Sequence, residues 1–314
     1  MKKLLTIGIP TYKREAALKS GISQLLANNV LEIVEILIID DGGGEFFGDY
    51  LGELSAGIKI VKNAKNLGFG RTFLRLFEEC TTDYMMVVGD DDLINVESLK
   101  PLLQFLSCQP NLVSPQFFQG NTMERGKEET RKIRPIEVLD SCKHGPGLVY
   151  KVEACKKGLG ILEQRLLEGK TDAVLYPQAV VVAHLLCESE ECYWLNLPTA
   201  FEGLNLSSNL VDLAGNHYWT FESRCKQLVA FDDLLVSLLG SERSAAMLAY
   251  HRRTSFGWLA NSLEAQNPAL YRGLIASSKN YQRNQQLKAL ARKIVPNRVY
   301  ELLRHYFNAM MRYK

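Results

Sequence analysis

The sequence lacks the cysteine pattern of a disulfide-stabilised or zinc-binding protein. Its seven cysteines are odd in number and form no Cys-x-x-Cys pair. An unpatterned set of this kind is typical of reduced thiols in a cytosolic protein. A chain of 314 residues is also long enough to bury a substantial core without cross-links. We therefore expect a cytoplasmic protein.

Long hydrophobic runs are also missing. No stretch approaches the roughly 18 apolar residues that a membrane-spanning helix requires. The initial MKKLLTIGIP has a basic tip, but its apolar run is short, has no small-residue cleavage site and meets Pro10 early. We expect neither a transmembrane helix nor export.

The chain has no large excess of either charge. It contains 37 Lys and Arg against 35 Asp and Glu, for a net charge of +2, and 46% of its residues are hydrophobic. That is the composition of an ordinary soluble globular protein. With no recognised nucleic-acid motif, repeat or low-complexity tract, we expect no nucleic-acid partner.

Apolar runs alternate with helical patterns over the first hundred residues. The predicted strands are LLTIGIP, VEILIID, GIKIVKN and YMMVVG, and helical spacing is found in EAALKSGISQLLANN and TFLRLFEEC. This alternation predicts an α/β fold with a mainly parallel sheet covered by helices on both faces. From about residue 218 helical periodicity dominates, so we expect a domain over 1–220 and a helical carboxyl-terminal region over 221–314.

Polar motifs follow three of the four predicted strands. They are PTYKRE, DDGGG and GDDD. In open α/β sheets ligands bind outside the carboxyl ends of the strands. The sequence therefore predicts one site formed by these three motifs.

Three consecutive acids, Asp90, Asp91 and Asp92, directly follow the apolar run MMVVG. Carboxylates in apolar surroundings need a partner, and no Lys or Arg lies within six residues on either side. A divalent cation, Mg²⁺ or Mn²⁺, would meet this need and would also bridge the phosphates of a bound nucleotide. The alternative is that these acids cap the helix that starts near Val96 and face solvent.

Four motifs together carry a family resemblance. TIGIPTYKRE, ILIIDDGGG, KNAKNLGFGRTFLRLFEEC and TTDYMMVVGDDDLI resemble, in this order, the nucleotide-diphospho-sugar glycosyltransferases of the GT-A fold, in particular inverting family 2. GDDDLI is similar to the bacterial branch with abequosyltransferase-like enzymes. The resemblance covers residue 4 to about residue 100. It implies transfer of a hexose or deoxyhexose to a saccharide, which we expect to be lipid-linked, in the synthesis of O-antigen, capsule or another surface polysaccharide.

The resemblance implies a nucleotide site at the ends of the first strands. Pro10, Thr11 and Tyr12 would line the base and ribose, with Arg14 nearby. Asp41 would hydrogen-bond a pyrimidine ring, since a carboxylate can accept a ring N–H. The implied donor is a UDP-, dTDP-, CDP- or GDP-linked sugar.

The loop NLGFGR would border the base and diphosphate through Asn66, Gly68 and Arg71. Gly68 would permit close approach of the backbone to the ligand. For Arg71 a simple surface charge is the alternative.

The resemblance places the Asp triplet at the family's DXD motif. Asp90 and Asp91 would contact the donor, and Asp92, with Asp90, would bind the metal. His217 is a further candidate ligand by analogy with related folds. A histidine beside Tyr218 and Trp219 is more often a packed residue.

An inverting transferase also needs a general base. The family uses an acid in an ED pair that opens a helix, and this chain has Pro177 and Gln178 there. Asp172 is the substitute candidate, with Glu168 as a weaker one. The alternative for Asp172 is helix capping.

The end of the chain is basic. From residue 279 to 314 there are nine Lys or Arg and one acid, Glu301, and apolar residues fall on one face of a predicted helix over 296–314. Such a helix lies on anionic membrane or packs within the domain or a homo-oligomer. On a membrane it would bring the enzyme, as a peripheral protein on the inner face, to a lipid-linked acceptor.

Two other functions remain. One is a non-catalytic homologue that binds nucleotide or glycan, which the missing ED pair favours. The other is a sugar nucleotidyltransferase, which normally has a Gly-rich, basic loop after the first strand. PTYKREAAL has no such glycines.

Overall fold

The computed structural model describes residues 2–42, 57–119, 122–123, 129–142, 145–203, 210–269 and 271–272. The chain forms two compact units, residues 1–208 and 209–314. The division predicted at residue 220 falls directly before the first long helix of the second unit.

One mixed sheet forms the centre of the first unit. Its strands are β1 Leu5–Thr11, β2 Glu35–Asp40, β3 Ile58–Lys62, β4 Tyr84–Val87, β5 Leu93–Ile94, β6 Leu112–Gln119, β7 Thr122–Met123, β8 Arg131–Lys132, β9 Leu148–Lys151 and β10 Cys192–Phe201. They lie in the order β3-β2-β1-β4-β9-β6-β10-β5, with β7 beside β6 and β8 beside β10. The first four are parallel, as predicted. β9 is antiparallel to both neighbours, which the sequence pattern does not indicate.

Seven helices are described in this unit. They are α1 Glu15–Ala27, α2 Phe69–Glu79, α3 Leu99–Leu106, α4 Val138–Cys142, α5 Val152–Leu167, α6 Thr171–Leu175 and α7 Pro177–Glu188. Pro177 takes the first position of α7, where its missing N–H costs nothing and its fixed φ suits the helix.

β1, β2 and β4 of the parallel half are buried on both faces, whereas β3 at the edge has exposed residues. Leu5, Ile7 and Ile9 of β1 pack in one cluster with apolar residues of α1 and α3. On the other face Gly8 leaves room for α2, since a β-carbon there would lie 2.6 Å from the Met85 sulfur and 3.0 Å from Leu76. Burial on two faces explains why these strands are continuous apolar runs rather than alternating ones.

In the second unit two helices, α8 Phe221–Arg243 and α9 Ala245–Gln266, pack against each other. The buried Asp232 carboxylate of α8 lies 2.8 Å from His251 Nδ1 and accepts a 2.8 Å bond from Arg252 Nε, both on α9. Across the described ranges, every helix is too short or too polar to cross a bilayer. The helix predicted over 296–314 lies outside the described residues.

Two helical glycines of the first unit differ in surroundings. In the first turn of α2, a β-carbon on Gly70 would lie 2.6 Å from Leu166 and overlap the Ala173 carbonyl. Gly160 of α5 is exposed and has no such neighbour within 4 Å. Gly70 thus lets the start of α2 approach α5 and α6 closely.

We expect Gly70→Ala to lower the free energy of unfolding by about 1–3 kcal/mol, because the methyl group forces packed backbone apart. Gly160→Ala, the matched control, should raise it by about 0.5–1 kcal/mol through helix propensity. Urea unfolding of both variants tests this. Equal effects of the same sign would contradict the packing described for α2.

Candidate functional site

The carboxyl ends of β1, β2 and β4 meet at one edge of the sheet. The Asp41 amide donates to the Thr11 carbonyl at 2.9 Å, and the Thr11 hydroxyl donates to Asp90 Oδ2 at 2.7 Å. The three polar motifs that follow these strands therefore lie together, which confirms the predicted convergence.

Arg14 is a cationic partner of the Asp triplet. Its Nη1 donates to Asp90 Oδ1 at 3.2 Å and to Asp91 Oδ2 at 2.7 Å. Burial raises the pKa of Asp90, and the contacts with Thr11 and Arg14 only partly offset this. The sequence has no Lys or Arg within six residues of the triplet, and the cation that the fold supplies comes from 76 residues away. Asp90, expected to bind metal, has both oxygens bonded to protein.

Asp92 differs from its two neighbours. The pKa of Asp92 is raised to about 7, mainly by burial and to a smaller extent by repulsion from Asp91. A hydrogen bond from the Gly203 backbone N–H to Asp92 opposes this rise. Its side chain borders a small cavity whose other walls are mostly apolar, including Ile9 and Ile22. Within the described part of the chain, no ion pair to Asp92 is found. A cation is therefore most strongly favoured at Asp92.

A fourth carboxylate, Glu202, lies beside Asp92. Phe201 of β10 pairs with Leu93 of the antiparallel strand β5, so Glu202 is aligned with Asp92. The negative charge of Glu202 contributes to the raised pKa of Asp92. Sequence reasoning missed Glu202 because β10 was not predicted. The run CYWLNLPTAF, which this acid directly follows, was the available signal.

Asp41 is buried and holds the loop that precedes α2. Its Oδ1 accepts from Asn63 Nδ2 at 2.7 Å and from the Leu67 amide at 2.8 Å, and its Oδ2 accepts from the Gly68 amide at 2.9 Å. A carboxylate has about four acceptor positions, so roughly one remains for a ligand. This geometry makes Asp41 chiefly a loop anchor, with less capacity for the expected pyrimidine contact.

Tyr12 and Asn66 lie together beside this loop. The pKa of the Tyr12 hydroxyl is lowered, mainly by a hydrogen bond with Asn66 and to a smaller extent by Lys13. Gly68, with φ of 82°, directly precedes α2, and Arg71 lies half-buried in the first turn. With Pro10 at the end of β1, these residues form the side of the site expected to bind the nucleotide.

Asp172 is in a buried ion pair. Arg165 Nε donates to its Oδ2 at 2.9 Å and Nη2 to its Oδ1 at 3.0 Å, and Asp172 is 2% exposed. Burial raises the pKa of Asp172 and Arg165 opposes that rise. Because Asp172 is buried and both of its oxygens are bound by a guanidinium, a substrate hydroxyl has no access to it, which argues against its expected role as the base. Glu168 is exposed and accepts from Gln164 at 2.8 Å.

His217 belongs to the second unit. Its ring stacks on that of Trp219, with centroids 5.9 Å apart and an angle of 15°. Trp219 is 47% exposed, so this pair is not core. Metal binding by His217 stays a prediction.

Similarity to known proteins agrees with this geometry. Residues 6–158 match the family model of glycosyl transferase family 2. The match spans slightly less than half of the chain. No curated protein sequence matches.

Solved structures of glycosyltransferases share the fold. A 1–349 fragment of S. aureus TarS in complex with UDP-GlcNAc has a TM-score of 0.66 at 15% identity, over 98% of this chain and 87% of that one. The mannosyltransferase PcManGT from Pyrobaculum calidifontis, in complex with GDP-Man and Mn²⁺, has a TM-score of 0.51 at 12% identity, over 98% and 86%. The predicted GT-A fold with a helical carboxyl-terminal region is confirmed.

The side chains fit a metal held jointly with a ligand. In the described ranges no group of three or more His, Cys, Asp and Glu side chains is arranged to hold a metal ion. Mg²⁺ and Mn²⁺ sites in nucleotide enzymes commonly use one or two carboxylates and substrate phosphates. Asp92 suits such a site better than Asp90, whose oxygens are already engaged.

Asp92→Asn should stabilise the metal-free protein at high pH. The folded state holds the Asp92 proton to about pH 7, whereas the unfolded chain loses it near its ordinary pKa of 3.8. Relative to Asp92→Asn, the wild-type protein should therefore lose stability as pH rises from about 4 to 7. Since Asp92 is partly exposed, we expect a gain of about 1–3 kcal/mol at pH 8 and almost none at pH 4.

Urea unfolding in EDTA at both pH values measures this difference. Asp83→Asn is the matched control, because Asp83 is 57% exposed and paired only at the surface with Lys2. It should change stability by no more than about 0.5 kcal/mol at either pH. An Asp92→Asn protein less stable than wild type at pH 8 would contradict the proposed cost of burying this charge.

Proposed function

We propose that this protein is a family 2 glycosyltransferase that moves a sugar from a nucleotide-diphospho-sugar to a saccharide. The observation that carries the proposal is the convergence of Tyr12 and Asn66 with the Asp90–Asp92 triplet at one sheet edge. The family match and the ligands of the solved relatives, UDP-GlcNAc and GDP-Man, support it. The donor nucleotide is UDP, dTDP, CDP or GDP.

The donor is held at two ends. Tyr12, Asn66 and Arg71 contact the nucleoside, and the diphosphate lies towards Asp92. Mn²⁺ or Mg²⁺ held by Asp92 and the phosphates would neutralise charge on the leaving nucleoside diphosphate. Arg14 binds both Asp90 and Asp91 and holds their side chains in place.

The chemistry is a single displacement with inversion. The acceptor hydroxyl attacks the anomeric carbon, and a carboxylate takes its proton. We propose Glu202 as this base instead of Asp172. Glu202 is half-exposed beside Asp92, whereas Asp172 is buried against Arg165.

The acceptor is proposed to be a lipid-linked saccharide of a bacterial surface polysaccharide. The basic helix predicted over 296–314 supports action at the inner face of the cytoplasmic membrane. A homo-oligomer formed through the same helix is the alternative use of this segment.

A non-catalytic, nucleotide-binding homologue is the second candidate function. Gln178, in place of the family's acid at the start of α7, favours it. Such a protein would bind donor without turnover even when acceptor is supplied. A sugar nucleotidyltransferase is disfavoured by the glycine-free PTYKREAAL segment.

Thermal unfolding with UDP-GlcNAc and GDP-Man, each with and without Mn²⁺, tests donor binding. A donor at a hundredfold excess over its Kd stabilises the protein by about 2.7 kcal/mol. We expect Asp92→Asn to abolish the part of this shift that depends on Mn²⁺, and Tyr12→Ala to weaken binding under both conditions. A shift for wild type that Asp92→Asn leaves unchanged would refute the proposed metal site.

Glu202→Gln and Asp172→Asn distinguish the two base candidates. We expect Glu202→Gln to lower kcat by about 100-fold or more, since it removes the proposed proton acceptor. It also removes a charge that repels Asp92, so we expect no large loss of stability. Asp172→Asn removes the negative charge of a buried ion pair with Arg165 and should cost about 3–5 kcal/mol of stability. Steady-state kinetics and urea unfolding measure both. Full turnover by Glu202→Gln would exclude Glu202 as the base.

A further inference from the structure

Three exposed apolar side chains cluster in a short segment of the second unit. Val211, Leu213 and Trp219 are 41%, 73% and 47% exposed. The described ranges expose seven large apolar side chains in all, so three within nine residues form a cluster rather than a scatter. Single exposed apolar residues are normal in soluble proteins, whereas a cluster marks an interaction surface. The proposed transferase chemistry uses none of these three side chains.

The segment is a β-hairpin over residues 210–219. Val211 pairs with His217 in an antiparallel bridge, so their side chains lie on the same face of the hairpin. The His217 ring stacks on Trp219, which places Trp219 on this face as well. Leu213 lies two positions beyond Val211 and is exposed like it. These four side chains form what we call the outer face of the hairpin.

The opposite face of the hairpin packs against α8. The buried Asp212 carboxylate accepts a 3.1 Å bond from Lys226 Nζ, and the Arg224 guanidinium lies 5.3 Å from the centre of the Tyr218 ring. The Tyr218 carbonyl accepts a 2.7 Å bond from Gln227 Nε2. The one acid of the hairpin is therefore turned inward and paired. The outer face is held in place from behind and carries no carboxylate, ammonium or guanidinium group.

The shape of the outer face limits the kind of partner that it fits. Leu213, Ala214 and Gly215 at the tip of the hairpin are all exposed. Small-molecule sites are concave and have several converging polar groups, which a projecting tip does not provide. An exposed leucine at a tip with a tryptophan at its base suits the interfacial layer of a bilayer, where apolar side chains reach the acyl boundary and indole rings lie at the level of the headgroups.

The distribution of charge favours an anionic surface as the partner. Residues 209–314, the second unit, contain 15 Lys and Arg against seven Asp and Glu, although the whole chain is nearly balanced at 37 against 35. Basic residues near a bilayer are attracted to anionic headgroups. The unit that carries the apolar hairpin is therefore also the cationic part of the chain.

We propose that the outer face of the hairpin inserts into the surface of an anionic membrane, with Val211 and Leu213 at the acyl boundary and Trp219 among the headgroups. This goes beyond the proposed transferase chemistry and adds a membrane contact separate from the basic helix predicted over 296–314. Membrane binding of this kind grows with the apolar area buried and with the attraction of basic residues to anionic lipid. The hairpin supplies the first contribution, and the Lys and Arg of the unit supply the second.

Flotation of the full-length protein with vesicles tests the inference. The vesicles are phosphatidylcholine with and without phosphatidylglycerol, and no donor or acceptor is added. Leu213→Ser removes the apolar tip. Leu167→Ser is the matched control, because Leu167 is a similarly exposed leucine, 68% exposed, at the end of α5 in the first unit. Trp219→Phe is compared with wild type for quenching of tryptophan fluorescence by phosphatidylcholine brominated on its acyl chains.

We expect wild type to bind the vesicles that contain phosphatidylglycerol. Leu213→Ser should weaken this binding about tenfold or more, because the burial of one leucine is lost, and Leu167→Ser should bind like wild type. Neither serine should shift the midpoint of thermal unfolding, since both leucines are exposed. Brominated lipid in the anionic vesicles should quench the fluorescence of bound wild type, and Trp219→Phe should remove most of that quenching.

Failure of wild type to bind, equal binding by Leu213→Ser and wild type, or quenching that Trp219→Phe retains would each overturn the inference. A lowered unfolding midpoint in Leu213→Ser would also overturn it, because the tip would then be packed in the free protein. Sedimentation velocity adds one further outcome. An oligomer that Leu213→Ser dissociates while vesicle binding is unchanged would assign the outer face to a second copy of the chain. Since no donor or acceptor is present, none of these results counts against the proposed transferase activity.

Discussion

The cost of placing carboxylates where apolar strands end determines much of this structure. Strands buried on both faces leave little water at their ends, so each acid there must find a partner. Asp41 accepts three protein N–H groups, and Asp90 and Asp91 share Arg14. Asp92 alone of these four acids carries a large unrelieved cost, expressed in its pKa of about 7. In the proposed function, a cation that arrives with the donor would relieve this cost.

The same partners also organise the backbone around the site. Asp41 fixes the loop from which α2 begins, and Arg14 joins the segment after β1 to that after β4. These contacts need no ligand, so the nucleotide side of the site is formed in advance.

The features that the sequence predicts correctly follow from local patterns, and those that it misses depend on contacts between distant parts of the chain. The four parallel strands, their helices and the convergence of their ends follow from periodicity and from the rule for ligand sites in open sheets. Arg14 was identified as a site residue, but its pairing with Asp90 depends on the strand order, which no local window contains. Glu202 was missed because its strand, interrupted by Asn196 and Pro198, resembles neither an alternating nor a continuous apolar pattern. Asp172 looked free because Arg165 approaches it from the preceding helix, across a turn.

The most direct test of this account is the number of protons released when donor and Mn²⁺ bind. Calorimetric titration of UDP-GlcNAc or GDP-Man in the presence of Mn²⁺, at pH 7 in two buffers of different ionisation enthalpy, gives that number. With a pKa of about 7, Asp92 is about half protonated at this pH, and a cation requires the ionised form. The account predicts release of about half a proton by wild type and none by Asp92→Asn. Binding by wild type without proton release would show that the metal does not meet the carboxylate on which the proposed site depends.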